Sequence, residues 1–255
     1  MTSLFDITDR LALVTGSSRG LGRAMATGLA EAGARVILHG RNAEALAATA
    51  DDIAARTGRA PATVTFDVTD NAAVCDGVAA LLAQHGVPDI LVNNAGIQRR
   101  APFTEFEPEN WDALMQANLS SAFYVSRQIT PAMAERGSGK VINIGSVQSK
   151  LARQTIAPYS ASKGGLVMLT QGMAADLARF NIQVNALSPG YFATDMNTAL
   201  VQDEDFSAWL AQRTPAQRWG RVEELVGTLI YLASDATSFV SGQNILVDGG
   251  MTAVV

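Results

Sequence analysis

Cysteine and histidine are scarce in this chain of 255 residues. The single cysteine, Cys75, cannot form an internal disulfide, and its place in an apolar helical stretch favours core packing over reactivity. The two histidines, His39 and His85, are far apart and lie in no cluster of cysteines or carboxylates at ligand spacing. We therefore expect no metal held by protein side chains.

Blocks of positive charge are also missing. The 19 basic residues are dispersed, the net charge is −5, and the largest basic block is the doublet Arg99-Arg100. A negatively charged chain repels phosphate backbones, so nucleic-acid binding is not expected.

Long apolar runs are absent as well. No stretch approaches the ~20 apolar residues that span a bilayer. The first residues lack the basic and apolar regions of a secretory signal. The expectation is a cytoplasmic protein that does not enter a membrane.

Short aliphatic runs do recur along the chain, separated by Ala- and Leu-rich helical stretches. Continuous apolar strands that alternate with helices indicate a parallel sheet covered on both faces. With no linker or internal repeat, the sequence predicts one α/β domain over residues 1–255, built on a doubly wound, seven-stranded parallel sheet. The predicted strands are 11–15, 35–38, 62–66, 90–93, 140–144, 182–187 and 244–247.

The segment 191–221 interrupts this alternation. It contains Tyr191, Phe206, Trp209 and Trp219 among charged residues, and it is longer than a usual connection of about 2–6 residues. It follows the carboxyl end of the sixth strand, where doubly wound sheets bind ligands. We predict a helical lid here, with an ordinary surface helix pair as the alternative.

The first strand leads directly into a glycine-rich turn, Thr15-Gly-Ser-Ser-Arg-Gly-Leu-Gly22. Its glycines allow a tight turn in which backbone N–H groups and the next helix face a pyrophosphate. The spacing G-x3-G-x-G differs from the commoner G-x-G-x-x-G, and three glycines can also form a bare turn. The candidate phosphate contacts are Gly16, Ser18, Arg19, Gly20, Leu21 and Gly22.

Residues about twenty positions further on discriminate between two dinucleotides. An NAD site places a carboxylate there for the ribose 2′-hydroxyl, but this sequence has His39-Gly-Arg-Asn42. Arg41 and Arg19 instead supply guanidinium groups, which pair with phosphate in a bidentate fork. The sequence predicts NADP, unless both arginines are merely solvated.

Tyr159 and Lys163 lie four residues apart, and Ser146 ends an apolar run thirteen residues before Tyr159. On a helix, positions i and i+4 share a face, so the ammonium can lie beside the phenol. A neighbouring cation favours the phenolate, so we expect a Tyr159 pKa lowered from ~10 toward neutrality. Tyr159 would then act as a general base or acid. A tyrosine packed against a lysine on an exposed helix face is the alternative.

These motifs together resemble the short-chain dehydrogenase/reductase family over essentially the whole chain. In order, they are the glycine loop, Asn93-Asn-Ala-Gly96, Asn118, Ser146, the Tyr159/Lys163 pair and Pro189-Gly190. The resemblance implies a Rossmann fold, an NADP-dependent oxidoreductase acting on CH–OH groups, and a homotetramer. Stretches such as 93–100 and 213–220 look like the gluconate 5-dehydrogenase subfamily, and 2-dehydro-3-deoxygluconate 5-dehydrogenases are the alternative.

The resemblance also implies roles for individual residues. Tyr159 would exchange the proton, Ser146 would bind the reacting oxygen, Lys163 would hold the nicotinamide ribose, and Asn118 would position a relay water. An amide bonded to its own helix backbone is the alternative for Asn118. The implied cofactor contacts are Asp67 and Val68 at the adenine, Asn94, Ala95, Gly96 and Lys163 at the nicotinamide ribose, Phe192 and Thr194 at the carboxamide, and in addition Tyr159, Pro189 and Gly190.

Three of these contacts have simpler alternatives. Asp67 follows a strand and would serve equally as a helix N-cap. The Asn94–Gly96 stretch would serve as a plain turn, and Phe192 as packing for the lid.

Sugar acids have a terminal carboxylate, which needs a cation. Arg99, Arg100 and Arg153 flank the predicted pocket mouth, and with Ser146 and Tyr159 they form the candidate substrate set. Ion pairs at a subunit interface are the alternative for the arginines. A 3-oxoacyl thioester reductase would require a wide apolar channel, and an inactive cofactor-sensing protein would be expected to lose part of the catalytic set.

Overall fold

The computed structural model describes residues 4–194 and 197–254. A seven-stranded parallel sheet has the strand order β3-β2-β1-β4-β5-β6-β7. Its strands are β1 Leu11–Val14, β2 Arg35–Gly40, β3 Ala62–Thr65, β4 Ile90–Asn93, β5 Gly139–Ile144, β6 Ile182–Pro189 and β7 Asn244–Val247. The predicted doubly wound α/β fold is confirmed, and every predicted strand is present with its ends shifted by at most two residues.

Helices cover both faces of this sheet, and each face has its own apolar cluster. The helices are α1 Gly20–Glu31, α2 Ala43–Thr57, α3 Asn71–His85, α4 Pro108–Met115, α5 Ser121–Arg136, α6 Ala157–Leu177, α7 Thr198–Val201, α8 Glu204–Arg213 and α9 Val226–Ala233. The central strands are buried along their whole length, which explains why their sequences are continuous apolar runs instead of alternating ones. No helix within 4–194 and 197–254 has both the length and the apolar character needed to cross a membrane.

A polar ladder crosses the sheet where β4 and β5 end. Asn93 and Asn143 are register partners, and the Asn93 amide nitrogen donates to Asn143 Oδ1 at 2.8 Å and to Ser126 Oγ at 2.9 Å. Asn143 Nδ2 donates in turn to Thr170 Oγ1 on α6 at 2.9 Å. Buried amides are tolerated when they are paired in this way. The ladder fixes α6 against the end of β4, where the chain turns toward the site.

The strand order reverses between β1 and β4, and parallel strands all end at the same edge of the sheet. Ligands of open α/β sheets bind in the crevice at this edge. The glycine loop follows β1, Asn94 follows β4, Ser146 follows β5 and Gly190 follows β6. The topology alone therefore brings the predicted site residues together at one edge of the sheet.

The segment 191–221 contains α7 and α8, as predicted, and α8 packs through Leu210 against Val147 and Met251. Residues 195 and 196 lie outside the described ranges. Ring centroids in the aromatic cluster of Tyr191, Phe206, Trp209 and Trp219 lie 5.2–6.2 Å apart. The helical segment thus stacks over the carboxyl edge of the sheet.

Candidate active site

The glycine loop after β1 is built so that only glycine fits. Gly16 and Gly20 have φ angles of 65° and 55°, in the left-handed region that disfavours side chains. A Cβ on Gly22 would collide with the carbonyl oxygen of Gly16, so α1 starts directly against the loop. This close approach of a helix N-terminus and a bare backbone is the arrangement that binds pyrophosphate.

The loop after β4 is tied to this glycine loop. Asn94 Nδ2 donates to the carbonyls of Thr15 and Gly16 at 2.9 and 3.0 Å. The backbone N–H groups of Asn94 and Ala95 both donate to Thr15 Oγ1, at 3.0 and 3.1 Å. Asn94–Gly96 is therefore more than a plain turn, because the Asn94 side chain fixes the distance between this loop and the glycine loop.

His39 contacts the same loop from the other side, and no sequence motif marked it as a site residue. Gly16 N–H donates to His39 Nδ1 at 3.3 Å, so Nε2 carries the proton and donates to the Phe66 carbonyl at 3.1 Å. Burial lowers the pKa of His39 to about 4, which keeps the ring neutral and Nδ1 an acceptor. Its position at the buried end of β2 was the available signal.

Arg41 lies at the rim of the cleft, largely exposed, with Nη1 3.6 Å from Asp67 Oδ2. Asp67 Oδ1 accepts from the backbone N–H and hydroxyl of Thr69, at 2.9 and 2.7 Å. The Thr69 backbone bond is the main cause that lowers the Asp67 pKa, with Arg41 contributing. The helix-capping alternative for Asp67 is wrong, because Asp70 caps α3.

Lys163 is buried on α6, one turn beyond Tyr159. Its Nζ donates to the carbonyl of Ile144, the last residue of β5, at 2.7 Å. The same Nζ lies 5.9 Å from the centroid of the Tyr159 ring. Burial lowers the pKa of Lys163 to about 8. The pair is therefore inside the cleft, and the alternative of an exposed helix face is wrong.

The pKa of Tyr159 is raised, opposite to our prediction. Burial away from water is the main cause, and it outweighs the hydrogen bond with Ser146 and the field of Arg100, which both lower the pKa. The free-energy cost of removing a phenolate from water is larger than the stabilisation that these two partners give it. The ammonium of Lys163 contributes no resolved lowering of this pKa. Tyr159 consequently holds its proton at neutral pH in the protein alone.

Ser146 and Asn118 are placed by irregular backbone. Ser146 Oγ accepts from Gln148 N–H at 3.2 Å at the start of the 3₁₀ turn Val147–Ser149. Asn118 lies in the π-helical turn Gln116–Ser120, a type of turn that is frequent at functional sites.

The Asn118 amide does not bond its own helix, so that alternative is wrong. Its Oδ1 accepts from Ile97 N–H at 2.8 Å, and its Nδ2 donates to the Ile97 carbonyl at 3.0 Å and to Ser162 Oγ at 3.1 Å. Ser162 Oγ donates to the Tyr159 carbonyl at 2.8 Å. Asn118 therefore connects the loop after β4 with the helix that carries Tyr159.

Two of the three candidate arginines converge. The pKa of Arg100 is lowered by burial and next by the charge of Arg153. Burial raises the pKa of Tyr191, and Arg153 and Arg100 oppose this rise, which places both cations near the phenol. Arg99 and Arg100 are both exposed side chains that line the cleft, and the backbone N–H of Arg99 donates to Gln98 Oε1 at 3.1 Å.

Arg153 is held by the helical segment. Its guanidinium carbon lies 5.3 Å from the centroid of the Phe206 ring. Its buried Nε has no hydrogen-bond partner in the described part of the chain. None of Arg99, Arg100 and Arg153 forms an ion pair with an acid of residues 4–194 or 197–254. Two adjacent cations without an acid favour an anion between them.

All predicted site residues line one cleft of about 920 Å³, a volume typical of ligand sites. Phe192 both lines this cleft and packs in the core, and its contact with the carboxamide stays a prediction. The glycine loop, the pair Ser146 and Tyr159, and the arginines Arg100 and Arg153 all line this one cleft, and the charge of Arg100 acts on the Tyr159 phenol.

Known proteins share this sequence and this fold. A family profile described as enoyl-(acyl carrier protein) reductase matches residues 16–252. The gluconate 5-dehydrogenase of Gluconobacter oxydans is 54% identical over 249 residues, which cover 98% of this chain and 97% of that protein. The 5-keto-D-gluconate 5-reductase of Escherichia coli is 47% identical over 255 residues, 100% of both chains.

A solved structure agrees with these sequence matches. A gluconate 5-dehydrogenase from Burkholderia cenocepacia, in complex with NADP and tartrate, has a TM-score of 0.95 and 53% identity, covering 98% of each chain. Three observations indicate the same family. They are the fold shared with this structure, the glycine loop, and the arrangement of Ser146, Tyr159 and Lys163. The chain belongs to the short-chain dehydrogenase/reductase family.

Proposed function

We propose that this enzyme transfers hydride between NADP and a sugar acid, interconverting D-gluconate and 5-dehydro-D-gluconate. The observation that supports the substrate class is the convergence of Arg100 and Arg153 in the cleft that Tyr159 also lines, without an acidic partner in the described ranges. Relatives named for this reaction are 54% and 47% identical to the chain. A relative solved with NADP supports the cofactor.

The glycine loop fits a dinucleotide. Gly22 tolerates no side chain against Gly16, and Gly20 has open space around the position of a Cβ. Arg19 and Arg41 line the cleft where a 2′-phosphate would lie, and no carboxylate occupies positions 39–41 at the end of β2. When bound, NADP supplies the hydride acceptor or donor.

Tyr159 moves the proton in this proposal. Because its pKa is raised, it enters the reduction protonated and donates to the oxygen of the substrate as negative charge develops there. In the oxidation it accepts the same proton. Ser146, which lowers the pKa of the neighbouring Tyr159 phenol, binds the same oxygen in this proposal and keeps it in line with the phenol.

Lys163 and Asn118 hold the geometry. The Lys163 ammonium is fixed by the Ile144 carbonyl and faces the nicotinamide ribose in this proposal. Asn118 locks the loop after β4 to α6, and we propose that a relay water to Lys163 lies beside it. The remaining contacts proposed for the cofactor are Asp67, Val68, Asn94, Ala95, Gly96, Pro189, Gly190, Phe192 and Thr194.

A homotetramer is the proposed assembly. Helices α4, α5 and α6 pack together and leave Trp111, Phe123 and Met168 41%, 46% and 64% exposed. Large apolar side chains on adjoining helices suit a subunit interface. The proposed location is the cytoplasm, where a chain with one cysteine needs no disulfide.

Replacing Tyr159 by Phe tests the proton transfer. Tyr159→Phe keeps the ring but removes the transferable proton, so kcat should fall by ~10² or more in both directions. NADP binding and the unfolding temperature should stay close to wild type. Steady-state kinetics and thermal denaturation measure both. Full activity in the variant would show that another group moves the proton.

Charge reversal at Arg41 tests the cofactor and the reaction together. Wild type should oxidise D-gluconate with NADP more efficiently than with NAD. Arg41→Asp should lower kcat/KM for NADP selectively, because it replaces attraction to the 2′-phosphate by repulsion. The measurement is kcat/KM for both cofactors with saturating gluconate. A wild-type preference for NAD, or no oxidation of gluconate, contradicts the proposal.

Alanine substitutions test the carboxylate anchor. Arg153→Ala and Arg100→Ala should each raise KM for gluconate about ten- to hundredfold, corresponding to ~1.5–3 kcal/mol for a charge-assisted hydrogen bond. Arg99→Ala should have a smaller effect because Arg99, unlike Arg100 and Arg153, is not among the charges that act on Tyr191. The KM for NADP should not change.

Arg59→Ala is the matched control, because Arg59 pairs with Asp9 on the surface. A neutral polyol of similar length should be a poor substrate for every variant. The proposal of a carboxylate anchor is wrong if all three cleft variants keep the wild-type KM for gluconate. It is also wrong if neutral polyols are as good substrates as the acid.

A further inference from the structure

Gln148 follows Ser146 by two residues and lines the same cleft. Its backbone N–H donates to Ser146 Oγ at 3.2 Å, and its side chain is only 8% exposed. The neighbouring Val147 packs against Leu210 of α8, which fixes this turn under the helical segment. The position of Gln148 is therefore set by the same contacts that set Ser146.

The side chain of Gln148 lies beside Tyr191. It lowers the pKa of the Tyr191 phenol, against the larger effect of burial, which raises that pKa. Its Oε1 is buried without a hydrogen-bond partner among the described residues. An amide offers two N–H donors and one carbonyl acceptor, and a group that lowers the pKa of a phenol does so by turning a donor toward it, so the NH₂ group faces Tyr191. Asn93 Oδ1 is also buried without a partner in the described ranges, but Gln148 lines the cleft, where a ligand can supply the missing donor.

The surroundings of this acceptor are cationic. The positive charges of Arg153 and Arg100 both lower the pKa of Tyr191. The Nε of Arg153 is also buried without a hydrogen-bond partner in the described ranges. The cleft thus presents guanidinium donors beside one amide acceptor. A carboxylate satisfies the guanidinium groups but has no proton for the Gln148 carbonyl. A hydroxyl next to the carboxylate supplies that proton.

We propose that Gln148 is a specificity-determining residue whose Oε1 accepts a hydrogen bond from the substrate hydroxyl adjacent to the carboxylate held by Arg100 and Arg153. The site then recognises a 2-hydroxycarboxylate group as a unit. This inference rests on the proposed sugar-acid function and adds to it the recognition of one hydroxyl group of the substrate.

The test compares D-gluconate with 2-deoxy-D-gluconate, which lacks only that hydroxyl. Wild type should prefer D-gluconate about tenfold in kcat/KM, the scale of one neutral hydrogen bond. In Gln148→Leu the preference should disappear, chiefly through a higher KM for D-gluconate, while kcat and the KM for NADP stay near wild type. Gln183→Leu is the matched control, because Gln183 is also 8% exposed and lies outside the cleft.

Two outcomes separate this inference from the proposed function. If wild type oxidises both acids equally with NADP, or if Gln148→Leu keeps the tenfold preference, Gln148 does not read the hydroxyl and the proposed function stands. If wild type oxidises neither acid with NADP, both proposals fail. If Gln148→Leu folds poorly, Gln148→Met, which also lacks the carbonyl, is measured in its place with the same expected loss of the preference.

Discussion

The bond from the Lys163 ammonium to the Ile144 carbonyl is the contact on which the site depends. It joins α6 to the last residue of β5 at 2.7 Å, inside the protein, where a charged group needs a fixed partner. Tyr159 is one turn earlier on the same helix, and Ser146 follows Ile144 on the same strand end. One hydrogen bond therefore sets how the phenol, the ammonium and the hydroxyl face each other. The links of Asn118 to Ile97 and Ser162 bring the loop after β4 to this centre.

Burial, more than charge pairing, governs the acidities in the cleft. It raises the pKa of Tyr159 and lowers the pKa of Lys163 to about 8, so both groups are driven toward their neutral forms. Arg100 follows the same trend beside Arg153. Burial thus makes unpaired charge costly in the cleft, and an anion beside Arg100 and Arg153 would offset that cost. That property links the substrate proposal to the packing of the fold.

The sheet was predictable because each parallel strand is a continuous apolar run bounded by turn residues. The site residues were predictable as types, since glycines after β1 and the Tyr159/Lys163 spacing follow from local geometry. The Tyr159 pKa was predicted with the wrong sign, because spacing places a cation nearby but does not measure desolvation. His39 and Gln148 were missed because their roles arise from contacts distant in sequence, with Gly16 and Tyr191.

The state of Tyr159 is the most direct test of this account. Tyrosinate absorbance can be titrated in wild type and in Tyr159→Phe without ligands, and the difference reports Tyr159 alone. The account predicts no difference between about pH 6 and 9, because burial holds the pKa above its usual value of ~10. A difference spectrum that appears near neutral pH would contradict it and would show that the Lys163 ammonium, not burial, controls the phenol.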